Sequence, residues 1–267
     1  MEGLLNRVDY LQRIWKLRYF WFSLVRNDLN NRYRRSFLGI GWSLLRPLAM
    51  TFLFCMVFGK LFNLPIAEYA PFLLVGMTVW QFFTESLIQG CHSFSHGTTY
   101  IRQQLVPFAI FPLRTVLGAG FHSLIALTMS LFVVAFFRGS LDVLALLYLI
   151  PGIVLLFFLA WSVAIISGVL HTHFPDTSHL LEMGMQGLFF LTPILYRPET
   201  IAGRGRLSFI VEWNPLSALL ALIRTPILDG TAPSAFHIQV SVIFLAVVGT
   251  LAIILLRKLE RTLIFWI

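Results

Sequence analysis

Arg32, Arg34 and Arg35 run, through Ser36-Phe37-Leu38, into the first long apolar stretch of the chain, which opens at Gly39 and is closed by Lys60. A cationic run crosses hydrocarbon only at high cost, so it marks a boundary. The residues before it lie on a membrane, and those after it enter the membrane. The stretch from Gly39 to Gly59 is long enough to span, since a crossing takes roughly 20 apolar residues. Arg46 and Pro47 fall in its first turns, where Arg reaches back to the headgroups and Pro is tolerated.

The remainder of the chain obeys the same solvent. Hydrophobic residues make up 58% of it and charged residues 12%, against about 45–50% and about 25% in a soluble domain. The expected fold is an all-α integral membrane protein with six spans, near residues 39–59, 70–89, 115–137, 143–170, 180–196 and 240–256. The second span ends in Thr84-Glu85-Ser86, polar groups that must face protein or water. Pro107 and Pro112 predict a short surface helix and a turn before the third. In the long connection 197–239, the apolar run from Pro215 to Ile223 is too short to cross and reads as part of a re-entrant or interfacial helical pair.

Six spans place both termini on one side, and the N-terminal arginines with Arg257, Lys258 and Arg261 make that side cytoplasmic. Arg197, Arg204, Arg206 and Arg224, in the outer connection, run against the rule. Leu4, Val8, Leu11, Trp15, Tyr19 and Phe22 recur at helical spacing, with Arg7, Arg13 and Lys16 mostly off the stripe. That is the pattern of an amphipathic helix lying in the interface. The chain therefore divides into an interfacial segment, 1–38, and a transmembrane domain, 39–267. The net charge of +8 reads as topology and attraction to anionic lipid, not to nucleic acid. Cys55 and Cys91 read as small buried residues rather than a disulfide.

Catalytic chemistry is sparse. Glu85 and Glu182, each near a span end, are the acidic candidates within the spans, and they do not make a proton path. His171, His173, Asp176 and His179 have tempting spacing, but Pro175 breaks the helix that would align them, so no metal is assigned. Neither G-x-S-x-G nor G-x-x-x-x-G-K-[ST] occurs. Work against a gradient would have to be powered by another chain. Aromatic residues are plentiful on the first, second and fifth spans: Trp42, Phe52, Phe54, Phe58, Phe72, Trp80, Phe82, Phe83, Phe189, Phe190 and Tyr196. Flat rings presented to a conduit suit a chain of sugars, by the stacking logic that serves single-stranded nucleic acid.

Four stretches in register carry a resemblance over essentially the whole chain. They are Arg32 to Gly39 leading into Trp42 and Pro47; Tyr69 to Gly76 with Trp80 and Phe82-Phe83; Phe189 to Tyr196; and Asn214-Pro215-Leu216. Together they resemble the permease subunits of ABC-type polysaccharide exporters. The resemblance implies a homodimer of six-helix subunits in the bacterial cytoplasmic membrane, with two copies of a separate ATP-binding subunit. That subunit would hold ATP and Mg, while this chain binds no cofactor. The cargo implied is a lipid-linked O-antigen, teichoic acid or capsular polysaccharide. A cytoplasmic connection would meet the ATPase, here around Thr98, Tyr100, Arg102, Gln103, Gln104, Leu105 and Pro107. Arg32, Arg34 and Arg35 either attract a lipid phosphate or only set topology. An exporter of small hydrophobic molecules and a membrane-embedded glycan-processing enzyme stand as rival readings.

Overall fold

The computed structural model describes residues 7–34, 36–61, 64–103, 106–139, 142–200 and 205–260. Leu4, Arg35, Gln104, Leu105, Arg204 and Arg261 lie outside them. Every regular element among the described residues is helical. Five stretches are long and apolar enough to cross a membrane: Gly39–Leu61, Ile66–Cys91, Ile110–Phe137, Leu144–His173 and Ala235–Lys258.

The described residues begin with α1 (Arg7–Lys16) and α2 (Arg18–Tyr33), two helices where one was expected, parted at Leu17. Leu11, Trp15, Tyr19 and Phe22 are all exposed, while Ile14, Leu24 and Val25 are buried. The exposed apolar stripe has the amphipathic form of an interfacial helix. Two polar contacts pin the pair to the bundle. The Tyr10 hydroxyl donates to Glu260 Oε1 at 2.6 Å and accepts from the Ala109 amide at 3.3 Å. Burial, and then the neighbouring Glu260, hold the Tyr10 phenol far above its ordinary pKa, so it remains a donor. Farther along, the Arg114 guanidinium grips both carboxylate oxygens of Asp28.

After the first span, α3 (Trp42–Leu61), comes α4 (Ile66–Cys91), the hub. It packs against α3, α6 (Ile110–Arg138), α8 (Leu149–His173), α9 (Thr177–Leu191) and α11 (Pro215–Leu228). Its run from Pro71 to Val79 is buried throughout, as a helix apolar on all sides must be. Ser86, in the polar tail, is also fully buried. The crossing of α4 with α8 depends on glycine. A Cβ on Gly90 would lie 2.6 Å from the Ala164 Cα, and one on Gly168 would lie 2.8 Å from the Gly90 carbonyl oxygen. Small residues let membrane helices approach this closely, and here Ser167 Oγ donates to the Leu87 carbonyl at 2.8 Å across the crossing. Gly90→Val should lower the thermal midpoint of the purified protein, with a penalty of about 1–3 kcal/mol from overpacking. An unchanged midpoint would mean that the crossing is looser than its geometry.

Several boundaries move. The third span starts at Ile110 rather than 115, because Pro112 falls in the first turn, where its missing N–H has no helical partner to lose. The fourth is preceded by the single turn α7 (Val143–Leu146), capped by Asp142, whose carboxylate accepts from the amides of Leu144 and Ala145. The last, α12 (Ala235–Glu260), is longer at both ends than expected. The fifth expected span differs most. Residues 180–196 do not form a single helix; α9 ends at Leu191 and, at about 22 Å, falls short of the ~30 Å hydrocarbon core. Thr192 is driven into extended backbone by Pro193. The chain continues through Ile194 and Leu195, both buried.

Between α9 and α12 sit two shorter helices, α10 (Arg206–Trp213) and α11. Asn214 joins them. Its side-chain oxygen caps α11 by accepting from the Leu216 amide at 3.0 Å, and its amide group donates to Thr192 Oγ1 at 3.1 Å. One residue thus starts α11 and ties it to the end of α9.

Candidate functional site

One stripe from each of four helices faces a common groove of about 1010 Å³. Residues three or four apart share a helix face. Trp42/Ser43, Arg46, Met50 and Phe54 come from α3, and Met77, Gln81, Glu85 and Gln89 from α4. His122 and Ala126 come from α6, and Glu182, Gln186, Phe189 and Phe190 from α9. The end of α2 adds Arg32 and Tyr33. A face carrying this many amides and charges does not suit hydrocarbon.

Aromatic and polar groups are both organised along it. Phe189 sits at the centre of a ring cluster, with centroids 5.8 Å from Trp80, 6.1 Å from Phe54 and 5.4 Å from Phe190. Arg32 Nη1 pairs with Glu85 Oε1 at 2.8 Å, both groups keeping some contact with solvent. Beside this pair, Tyr33, Ser43 and His122 form a closed hydrogen-bonded set. The Tyr33 hydroxyl lies 2.8 Å from His122 Nδ1 and 2.9 Å from Ser43 Oγ, and Ser43 Oγ lies 2.9 Å from the same nitrogen. The interfacial segment, the first span and the third are joined at that point.

Of the aromatics expected at a conduit, Trp42, Phe54, Trp80, Phe189 and Phe190 line the groove, and the buried Phe82 forms part of its wall. Phe52 is exposed and outside the groove lining. Phe58 packs against Phe54 at 5.9 Å, and Phe83 is buried in the core. Phe72 lies beneath the Arg224 guanidinium, whose Cζ is 3.6 Å from the ring centroid. Tyr196 follows α9 and donates its hydroxyl to the Phe190 carbonyl at 3.1 Å.

The basic run divides. Arg32 enters the groove, whereas Arg34 lines a different crevice, behind Phe82. The connection expected to meet an ATPase forms α5 (Thr98–Gln103). Tyr100 packs edge-on to Phe20 of α2 at 5.5 Å, and Thr98 donates to the Ser95 carbonyl at 2.7 Å. Arg102 and Gln103 are exposed, and Pro107 is buried in the turn before α6.

The histidines at the end of α8 and the start of α9 are not gathered around an ion. His173 bonds the Val169 carbonyl, and His179 stands 4.0 Å from Glu182. Among the described residues no three His, Cys, Asp or Glu side chains are placed to share a metal.

His122 is absent from the residues expected above, although an ionisable group in mid-span is itself a signal of function. Arg224 is misread as a loop charge. It is buried and donates to the carbonyls of Pro193 at 2.5 Å and Ile194 at 3.1 Å. A lone arginine inside an apolar run, with Pro193 waiting elsewhere, is the only trace of this in the sequence.

A helical bundle with five helices long enough to cross a membrane, whose hub presents a polar, aromatic groove, fits a membrane transporter. The chain belongs to the ABC-2 type transporter family, whose model matches residues 19–228, from α2 to the end of α11. Membership makes it a transporter subunit rather than an enzyme, working with an ATP-binding cassette partner, in agreement with the four motifs. It is similar to the O-antigen export system permease protein RfbA of Klebsiella pneumoniae, 29% identical over 78% of this chain and 80% of that protein. The RfbA permease of Myxococcus xanthus is 25% identical over 85% and 87%. The polysialic acid transport protein KpsM of Escherichia coli is 23% identical over 91% and 94%.

Proposed function

We propose that this chain is the permease of an exporter that carries a lipid-linked polysaccharide outward across the bacterial cytoplasmic membrane. Two copies form the conduit, and each is served by an ATP-binding cassette subunit that holds ATP and Mg. The observation that carries this reading is the groove. Its polar face is too costly to leave against lipid, and a second copy related by a two-fold axis would close it into a water-filled passage. Stacking rings with scattered amides hold a sugar chain without demanding one sequence of hydrogen bonds, and the names of the relatives favour a polysaccharide cargo.

In this reading α9, with the turn that follows it through Ile194 and Leu195, completes a sixth crossing, and both termini are cytoplasmic. The outer connection carries less free positive charge than its composition implies, since Arg197 pairs with Glu68 at 3.0 Å and Arg224 is buried. The α10–α11 pair then lies on the outer side without crossing. The knob at α5 receives the motion of the ATPase and passes it through Tyr100 and Phe20 to α2, and so to the groove mouth.

Replacing both Trp80 and Phe189 by alanine should reduce export at least about tenfold, since each stacking platform contributes about 1–3 kcal/mol. The measurement is surface polysaccharide against polymer retained inside the cell. Retained, finished, lipid-linked polymer supports the reading. Undiminished surface polymer in the double variant, or complete absence of polymer on deletion of the gene, defeats it.

A further inference from the structure

Behind the wall formed by Tyr33, Thr78, Phe82 and Ser123 lies a second crevice, of about 1380 Å³, bounded by α2, the turn at residues 38–41, α4, α6 and α8, and touched by Ile223 of α11. It does not belong to the groove, and nothing in the transport reading uses it. Its far wall is apolar, with Leu117, Leu124 and Leu127 from α6 and Ile153 and Phe157 from α8. Its charged and amide groups are gathered on α2 and its C-terminal end. There Phe22, Arg26 and Asn30 follow one another at four-residue intervals along one side of α2, and Arg34, its C-cap, continues the spacing. All four are exposed, and among the described residues no carboxylate pairs with Arg26 or Arg34. The hydroxyl of Thr78, deeper in, is already spent on the Leu74 carbonyl at 2.8 Å.

We infer that this crevice holds an anionic phospholipid of the surrounding bilayer, with its phosphate between Arg26 and Arg34 and its acyl chains along α6 and α8. Three observations select that occupant. The volume exceeds the roughly 300–1,000 Å³ typical of small-molecule pockets. The apolar wall from Leu117 to Leu127 is about 15 Å long, half of the ~30 Å hydrocarbon core and so the depth of one leaflet. Cationic and amide groups at one end, with apolar surface beyond, match an amphiphile whose head is negative. The lipid carrier of an exported glycan is the competing amphiphile. Its head would have to be continuous with a glycan in the groove, and the buried Phe82 stands between the two spaces.

The inference stands independently of what the groove carries, and its test does not use export. The permease, co-purified with its ATP-binding partner, is reconstituted in nanodiscs of phosphatidylglycerol mixed with phosphatidylcholine. It is then stripped with mild detergent and its retained lipid is identified by native mass spectrometry. The wild-type complex should retain phosphatidylglycerol in preference to phosphatidylcholine. Arg26→Gln with Arg34→Gln should cut that retention by roughly tenfold or more, two basic groups near a headgroup being removed. Leu124→Trp, which narrows the crevice from an exposed position without altering charge, should do the same. Thermal midpoints near wild type establish that the variants fold. Equal retention of both phospholipids, retention unchanged in both variants, or recovery of a polyprenyl phosphate in place of phospholipid would each overturn the inference.

Discussion

Arg224→Met is expected to lower the thermal midpoint of the purified permease by roughly 5–10 °C and to deplete it from the membrane. The guanidinium holds the carbonyls of Pro193 and Ile194, at the point where α9 has ended and the backbone has lost its helical partners. Hydrogen bonds to a charged group contribute about 1.5–3 kcal/mol each, and the face of Phe72 adds about 0.5–2 kcal/mol. A methionine fills much of the space but leaves both acceptors buried and unpaired. Set against a total stability of about 5–15 kcal/mol, that loss is large. The fold makes room for this residue alone. A Cβ on Gly76 would fall 2.0 Å from Arg224 Nη2, so Gly76→Ala should reproduce part of the defect by expelling the guanidinium. Arg224→Lys should be intermediate, because an ammonium lacks the planar fork that reaches two carbonyls while lying flat on a ring. A midpoint within a degree of wild type in Arg224→Met would show that these bonds do not hold α9 to α11.

Much of this arrangement can be read from residues, because a membrane simplifies the reading. The apolar stretches at Gly39, Ala70, Thr115, Val143 and Val240 lie within helices whose length the bilayer dictates, and composition alone separates them from loops. The errors fall where tertiary contacts replace local ones. Pro112 reads as a breaker but is harmless in a first turn. Pro193 falls inside the expected fifth span, yet its carbonyl survives burial only because Arg224, 31 positions away, satisfies it. Leu17 parts α1 from α2 although the apolar stripe continues across it. Within the groove, composition supplies the aromatic candidates but not their faces. Phe82 and Phe83 are adjacent, and only Phe82 reaches the groove wall; helical geometry turns the other into the core. His122 is the most informative polar residue of its span, and its partners Tyr33 and Ser43 become visible only when three helices are assembled.

The division of the basic run carries a consequence for transport. Arg32 and Arg34 are two positions apart on a helix end, so they cannot share a face. One faces the groove and its carboxylate partner, the other a crevice with no carboxylate. An anion arriving at the groove would therefore meet Arg32, with Arg46 along α3, whereas Arg34 lies on the crevice inferred above to hold lipid. A single cluster of like charges would have been an undivided topology signal. In the proposed reading, separate placement lets one charge act on cargo and another on lipid.

Exchanging the partners of the groove ion pair separates a structural role from a transport role for Arg32. Arg32→Glu alone places two carboxylates at the groove mouth and should lower both stability and export. Adding Glu85→Arg restores an opposite-charge pair across the same 2.8 Å contact. Because both groups keep contact with solvent, the pair itself contributes no more than about 1 kcal/mol, and the exchange should return the thermal midpoint to near wild type. Export should not return with it. In the exchanged protein the cation stands on α4 and a carboxylate occupies the end of α2, where the phosphate of a lipid-linked glycan would first arrive, and a phosphate is held by the bidentate fork of an arginine at its own position. Surface polysaccharide in the double variant should therefore stay at least about tenfold below wild type, the loss of one charge-assisted contact. Measured beside Arg32→Gln, which removes the cation without adding repulsion, the comparison is decisive. Full export in the exchanged protein would reduce Arg32 to a clamp between α2 and α4, and full export in Arg32→Gln would remove it from transport altogether.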